Sequence, residues 1–195
     1  MATDSTPKKV KKASVFLKLK KNLAGKISSK GAKLFIDDEW SETLDNIHAL
    51  IEAQSDTKTA DKIMKNVIKI SIKIGLEVDE KRFNSQELEI LVNLRKKLKT
   101  LMLTLISFYE VPYSYDPELC SQLFQDMNKV IKNLLEGHVK EKSLQRCDYV
   151  FKYFSDPKVM GSSLEGDSKG PVKTQMGALC SSLRVIIQNN KLVEI

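Results

Sequence analysis

The chain has 195 residues, 42% of them hydrophobic and 29% charged, with a formal charge of +7. That length supports one domain with a sizeable core, and eight glycines and five prolines are too few for the many turns of an all-β fold. The charge is uneven: residues 1–33 hold ten lysines and one acid, a net +9, which leaves −2 for residues 34–195. A basic arm on a near-neutral body argues against a nucleic-acid binder, whose basic surface would be general.

Taken in order, residues 1–12 have no periodic apolar face and read as a flexible basic tail. Residues 13–33 read as a basic amphipathic helix, with Phe16, Leu19, Leu23 and Ile27 on one face and Lys18, Lys21 and Lys26 elsewhere. Such segments bind anionic membrane surfaces, although a nuclear-localisation or RNA-binding tail, or plain disorder, would share the composition. No apolar stretch of a secretory signal accompanies these lysines, and the longest apolar run, 101–108, is too short to span a bilayer.

Residues 34–195 read as the folded domain. Asp37, Asp38 and Glu39 lead into a helix capped by Ser41, with Leu44, Ile47 and Ile51 facing inward and a break at 55–59. In 60–76 the run Ile68–Ile74 alternates as a strand would. However, Lys62, Lys65, Lys69 and Lys73 share one helical face and Ile63, Val67, Ile70 and Ile74 the other, so the wider pattern predicts a helix. The lysine stripe is either a solvated face or a docking surface. Asn84 and Glu87 have capping-box spacing, with Phe83 and Leu88 at hydrophobic-staple positions, so a helix is predicted from there to about Phe108. Asp116-Pro117 opens the next, with a face of Leu119, Leu123, Met127, Val130 and Leu134 and a stop near Gly137. A shorter helix carries Leu144, Cys147, Val150, Phe151 and Phe154, residues 155–171 read as a loop, and a last helix carries Val172, Met176, Leu179, Leu183 and Ile186. Six amphipathic helices behind a basic one make an all-α bundle.

Enzymatic signals are poor, and no catalytic role is expected. The chain lacks a G-x-S-x-G elbow, a Walker-A loop, zinc spacing and G-x-G-x-x-G, so no metal or cofactor is expected. His48 and His138 read as structural or surface residues, and Cys120, Cys147 and Cys180 as small core residues in a reducing cytosol. One position breaks its pattern. The inner face of the third helix runs Leu88, Leu91, Arg95, Leu98, Met102, Leu105, so an arginine stands in an apolar stripe. It must pair with a core carboxylate, snorkel to solvent or meet an anionic ligand group such as a phosphate.

Several segments together resemble the TIPE family, the tumour necrosis factor-alpha-induced protein eight and its relatives. They are Leu34-Phe35-Ile36-Asp37-Asp38, Ser41-Glu42-Thr43-Leu44-Asp45, Val67-Ile68-Lys69, Glu87-Leu88, Ser107-Phe108, Tyr113-Ser114-Tyr115-Asp116, Lys142-Ser143 and the run Val150 to Asp156. The tail Leu179-Cys180-Ser181-Ser182-Leu183-Arg184 resembles the family's last helix, whereas 157–171 matches less well and reads as a longer loop. The resemblance implies an antiparallel bundle around a central hydrophobic cavity. It also implies a cytoplasmic protein, reversibly associated with membranes, that binds or transfers phosphoinositides in signalling linked to cell death, immunity or migration. Carried over by position, Lys20, Lys21 and Arg95 would hold the head group. A further basic position of the family falls on Asp79, with Lys81 and Arg82 close enough to substitute. Acyl chains would lie among Val67, Ile70, Ile74, Leu91, Leu98, Met102, Leu123, Met127 and Leu183, which are also the positions a filled core would use. The expected partners are anionic membrane lipids, with signalling proteins as a second class. The alternative is a death-effector-like adaptor without lipid chemistry, docking through the lysine stripe and the Asp37–Glu42 patch.

Overall fold

A computed structural model describes residues 38–165 and 170–192. Among them seven α-helices form: α1 (Asp38–Gln54), α2 (Thr57–Asp79), α3 (Ser85–Glu110), α4 (Pro117–Leu135), α5 (Glu141–Phe154), α6 (Pro157–Leu164) and α7 (Pro171–Gln188), with a 3₁₀ turn at Pro112–Ser114. The expected tail and basic helix at 1–33 lie outside the described residues.

Short polar side chains start four of these helices. Asp56 accepts from the Thr59 amide at 2.8 Å, Asp116 from the Glu118 and Leu119 amides, and Asp156 from the Lys158 amide at 2.9 Å. At α3 the capping box closes in both directions: Asn84 accepts from the Glu87 amide at 3.0 Å, and the Glu87 carboxylate accepts from the Asn84 amide at 2.7 Å. Helix α1 begins upstream of the predicted Ser41 cap, because Glu39 suits the positive end of a helix dipole.

Each of six helices packs against two others, in the order α1, α2, α5, α4, α3, α7 and back to α1. Neighbours run antiparallel around this ring. Between α1 and α7, Asn189 donates to Glu39 at 2.9 Å, while Asn46 donates to the Ala178 carbonyl at 3.3 Å. Between α2 and α5, Lys62 lies 4.2 Å from the Tyr149 ring centroid, while His138, just before α5, reaches Glu77 near the end of α2. These six are the six predicted helices, and one contiguous apolar core lies between them. Fully buried side chains such as Ile51, Ile63, Leu134 and Ile186 each contribute roughly 1.5–3 kcal/mol.

The seventh helix, α6, corrects the reading of 155–171 as loop. It packs against α4, α5 and α7 at one end of the ring. Gln54, the last residue of α1, donates to the Val159 carbonyl at 2.7 Å and to the Ser162 hydroxyl at 3.0 Å, and bonds Ser163.

Two apolar faces also differ from expectation. Helix α4 buries Cys120, Phe124, Met127, Ile131 and Leu134, a stripe rotated by one residue, because Phe124 stacks on Phe154 with centroids 5.5 Å apart. Leu119 is left exposed, and Leu123 and Val130 are partly buried at the edge. The staple at α3 does not form. Phe83 is buried edge-on against His138, whereas Leu88 is 47% exposed.

Candidate functional site

Three charged residues occupy stripe positions that should be apolar. Glu77 follows Ile70 and Ile74 on α2, Arg95 follows Leu91 on α3, and Lys173 precedes Met176 and Cys180 on α7. A buried charge costs several kcal/mol, to order of magnitude, unless something bonds it. How each is satisfied separates structural charges from a candidate site.

Glu77 is satisfied by protein. The α2–α3 turn is closed by Lys81 in the left-handed region, φ +52°, with the Arg82 amide donating to the Glu77 carbonyl at 3.0 Å and the Lys81 amide to Val78 at 3.1 Å. This turn directs the Arg82 side chain back to the Glu77 carboxylate at 3.3 Å, and Arg82 also pairs with Glu80. On the other side, His138 places Nδ1 3.2 Å from Glu77 and Nε2 2.8 Å from Glu87. Both ring nitrogens therefore face carboxylates, which suits an imidazolium, since only the charged ring donates twice. The His138 pKa is raised, chiefly because Glu87 accepts its hydrogen bond, with Glu77 adding to this and burial opposing it.

Lys173 is satisfied as well. Its ammonium donates to the Leu164 carbonyl at the end of α6 and lies 5.0 Å from the Tyr109 ring centroid. Helices α7 and α3 come close here, for a Cβ at Gly177 would collide with the Tyr109 hydroxyl.

Arg95 is different. It is partly buried on the stripe with Leu91, Leu98 and Met102, and its Nε is buried with no hydrogen-bond partner. No carboxylate among the described residues forms a salt bridge with it. An arginine presents a planar fork of donors suited to phosphate or carboxylate oxygens. Of the three charges, this is the one with a buried nitrogen that no described residue bonds.

The other sequence-derived positions fall as follows. Ile70, Ile74, Leu91, Met102, Met127 and Leu183 are buried, and Val67, Leu98 and Leu123 are partly buried against the same core. Lys81 and Arg82 are exposed at the α2–α3 turn, with Arg82 already engaged by two carboxylates. Lys20 and Lys21 lie outside the described residues. On the predicted docking stripe, Lys62, Lys65 and Lys73 are exposed. His48 is buried and bonded to Asp61 at 2.9 Å. The three cysteines are buried free thiols, and burial pushes Cys120 and Cys180 up to about 12 and Cys147 up to about 11. Glu77 and Lys173 were not singled out from sequence, although each carries the same signal as Arg95, a charge in register with an apolar stripe. Among the described residues no helix is long and apolar enough to cross a membrane.

The model of the family described as tumor necrosis factor alpha-induced protein 8-like matches residues 10–190. The chain is 33% identical to tumor necrosis factor, alpha-induced protein 8-like protein 2 A of Danio rerio over 178 residues, 90% of this chain and 95% of that relative. It is 36% identical to the 8-like protein 1 of Danio rerio over 142 residues, 72% of this chain and 76% of the relative. With the 8-like protein of Drosophila pseudoobscura pseudoobscura the identity is 30% over 184 residues, covering 93% and 97% of the two chains. Over residues 10–190, the chain belongs to the tumor necrosis factor alpha-induced protein 8-like family.

Proposed function

We propose that this chain binds a phosphoinositide, with acyl chains among the ring helices and a head-group phosphate at Arg95, and that it carries or presents this lipid at membranes. The observation that supports the reading is the buried, unpartnered Nε of Arg95 on an otherwise apolar inner stripe. An apolar lining beside a fork of anion-binding donors matches a molecule with two tails and a phosphorylated head. Lys20 and Lys21 would add charge at the mouth, as would Lys81; Arg82 contributes less, because Glu77 and Glu80 already compensate it. Each acyl CH₂ withdrawn from water is worth roughly 0.8 kcal/mol, which favours transfer of a lipid's chains from water to an apolar interior. The +9 of residues 1–33 supplies reversible attraction to an anionic leaflet. No catalytic step belongs to this reading.

The test begins with the purified full chain, extracted and examined by mass spectrometry for co-purified phospholipid. Arg95→Gln is then compared with wild type for binding of a short-chain, water-soluble phosphoinositide. The expected result is a loss of affinity of about tenfold or more, the scale of a charge-assisted phosphate contact, with an undiminished melting temperature. Unchanged affinity, or a marked loss of stability, would show that Arg95 serves the fold instead.

A further inference from the structure

Helix α3 has a second stripe, on its outer side, that the reading above leaves unused. Leu88, Val92 and Leu103 are 47%, 47% and 48% exposed, although a helix packed into a bundle normally turns such residues inward. With Lys96 and Lys99, also exposed, they fall within about 80° of one another around the helix axis and extend about 22 Å along it. Neither lysine forms a salt bridge among the described residues, in contrast to Lys97 on the other flank, which meets Asp126 of α4 at 3.7 Å. Leu88, Val92 and Lys96 line a shallow groove with Asn93 and one acid, Glu89, at the edge of the stripe.

We infer that this outer face of α3 is a membrane-docking surface, with Leu88, Val92 and Leu103 seated at the boundary of an anionic leaflet and Lys96 and Lys99 on its phosphates. Apolar side chains interleaved with unpaired lysines complement a surface that is apolar below and negative above, the pattern of helices that lie in the plane of a membrane interface. A protein groove of comparable size would call for acidic partners to each lysine and offers no reason for the lysines to sit between the apolar residues. The position of Arg95 adds a second argument. Val92 and Lys99 stand three residues before and four after it, so they adjoin it on the outer side, as Leu91 and Leu98 do on the inner side. Arg95 thus lies on the border between the docking stripe and the core stripe. A lipid leaving a bilayer held against α3 would meet the Arg95 guanidinium first, and in this respect the inference rests on the lipid-binding reading. The docking surface itself does not require a bound lipid.

The experiment uses the full chain and vesicles of phosphatidylcholine with phosphatidylserine, scored by flotation. The triple variant Leu88→Ser, Val92→Ser, Leu103→Ser alters only exposed side chains. It is expected to bind vesicles about tenfold more weakly than wild type, in line with lost interfacial insertion, while still binding the water-soluble phosphoinositide. Lys96→Glu with Lys99→Glu reads the same face through charge, and should weaken vesicle binding chiefly at low salt. It also serves if the triple variant fails to fold. Arg95→Gln should show the converse, normal flotation with lost soluble-lipid binding. If no protein binds the soluble lipid but the stripe variants still lose flotation, the docking face stands and the interior reading falls. Flotation by both stripe variants at the wild-type level overturns the inference. So does a wild-type dimer that dissociates in the triple variant without change in flotation, which would assign the face to a second copy.

Discussion

Glu77, Arg95 and Lys173 raise the same physical problem, a charge in an apolar stripe, and the molecule answers it in three ways. Glu77 gains His138 and Arg82, Lys173 gains a helix-terminal carbonyl and an aromatic face, and Arg95 keeps a buried Nε without a partner. The His138 arrangement carries a pH dependence whose sign is fixed by its raised pKa. Its hydrogen bonds to Glu77 and Glu87 stabilise the fold fully below the unfolded imidazole value of about 6.5. That contribution is lost as pH rises through the higher folded value. The groups facing the ring are Glu77 from α2, the Phe83 ring from the α2–α3 turn and Glu87 from α3, with Arg82 paired to the same Glu77 carboxylate. Urea midpoints of wild type should therefore fall as pH is raised from about 6.5 to about 8, and His138→Gln should flatten that slope. Equal slopes in the two proteins would remove His138 from the account. Arg95 was legible from sequence because a guanidinium so seldom occupies a core register. The partners of Glu77 and His138 were not, since they lie 61 residues apart and only the fold joins them.

At the level of elements, helix starts were the most readable feature. Asn84 with Glu87 and Asp116 with Pro117 form the caps their spacing predicts, because such caps satisfy orphan amides within one turn and depend on nothing distant. Asp156-Pro157 carries the same signal and opens α6, yet Gly161, Ser162 and Ser163 obscured it by their low helix propensity. Tertiary bonds override that propensity, and Gln54 supplies them from α1. Gln54→Ala should destabilise the protein by about 0.5–1.5 kcal/mol, because the Val159 carbonyl and the Tyr153 hydroxyl, which donates to Gln54 at 3.3 Å, each lose one partner while keeping Ser162 and Ser55. Amide exchange across 159–164 should accelerate more than elsewhere. Uniform acceleration across all helices would mean that α6 does not open separately. Sequence could not decide which of two adjacent apolar stripes α4 would bury, since Leu119–Leu123 and Cys120–Phe124 are both apolar; the stack of Phe124 on Phe154 decides it.

At the level of the whole molecule, the two membrane contacts proposed above differ in kind. The lysines of residues 1–33 would act through long-range attraction, and the outer face of α3 through insertion. Deleting residues 1–19 removes five lysines and Asp4. Vesicle binding of the shortened chain should weaken strongly at low salt and little at high salt. A loss independent of salt would refute an electrostatic role for the arm. The ring order itself was hidden from sequence, because helix amphipathicity tells which face is buried but not against which helix.

Closure of that ring by α7 against α1 has a consequence for biosynthesis. Asn46 and the Ala178 carbonyl, bonded across this junction, are 132 residues apart in the chain. At translation rates of about 5–20 residues per second, α1 leaves the ribosome roughly ten seconds before its mate exists. During that interval the surface of α1 that α7 will cover, at the closure carrying the longest loop entropy, stays open to solvent and to chaperones. A nascent chain halted before residue 171 should therefore be captured by holdase chaperones far more readily than the finished protein, and it should be degraded rather than stored.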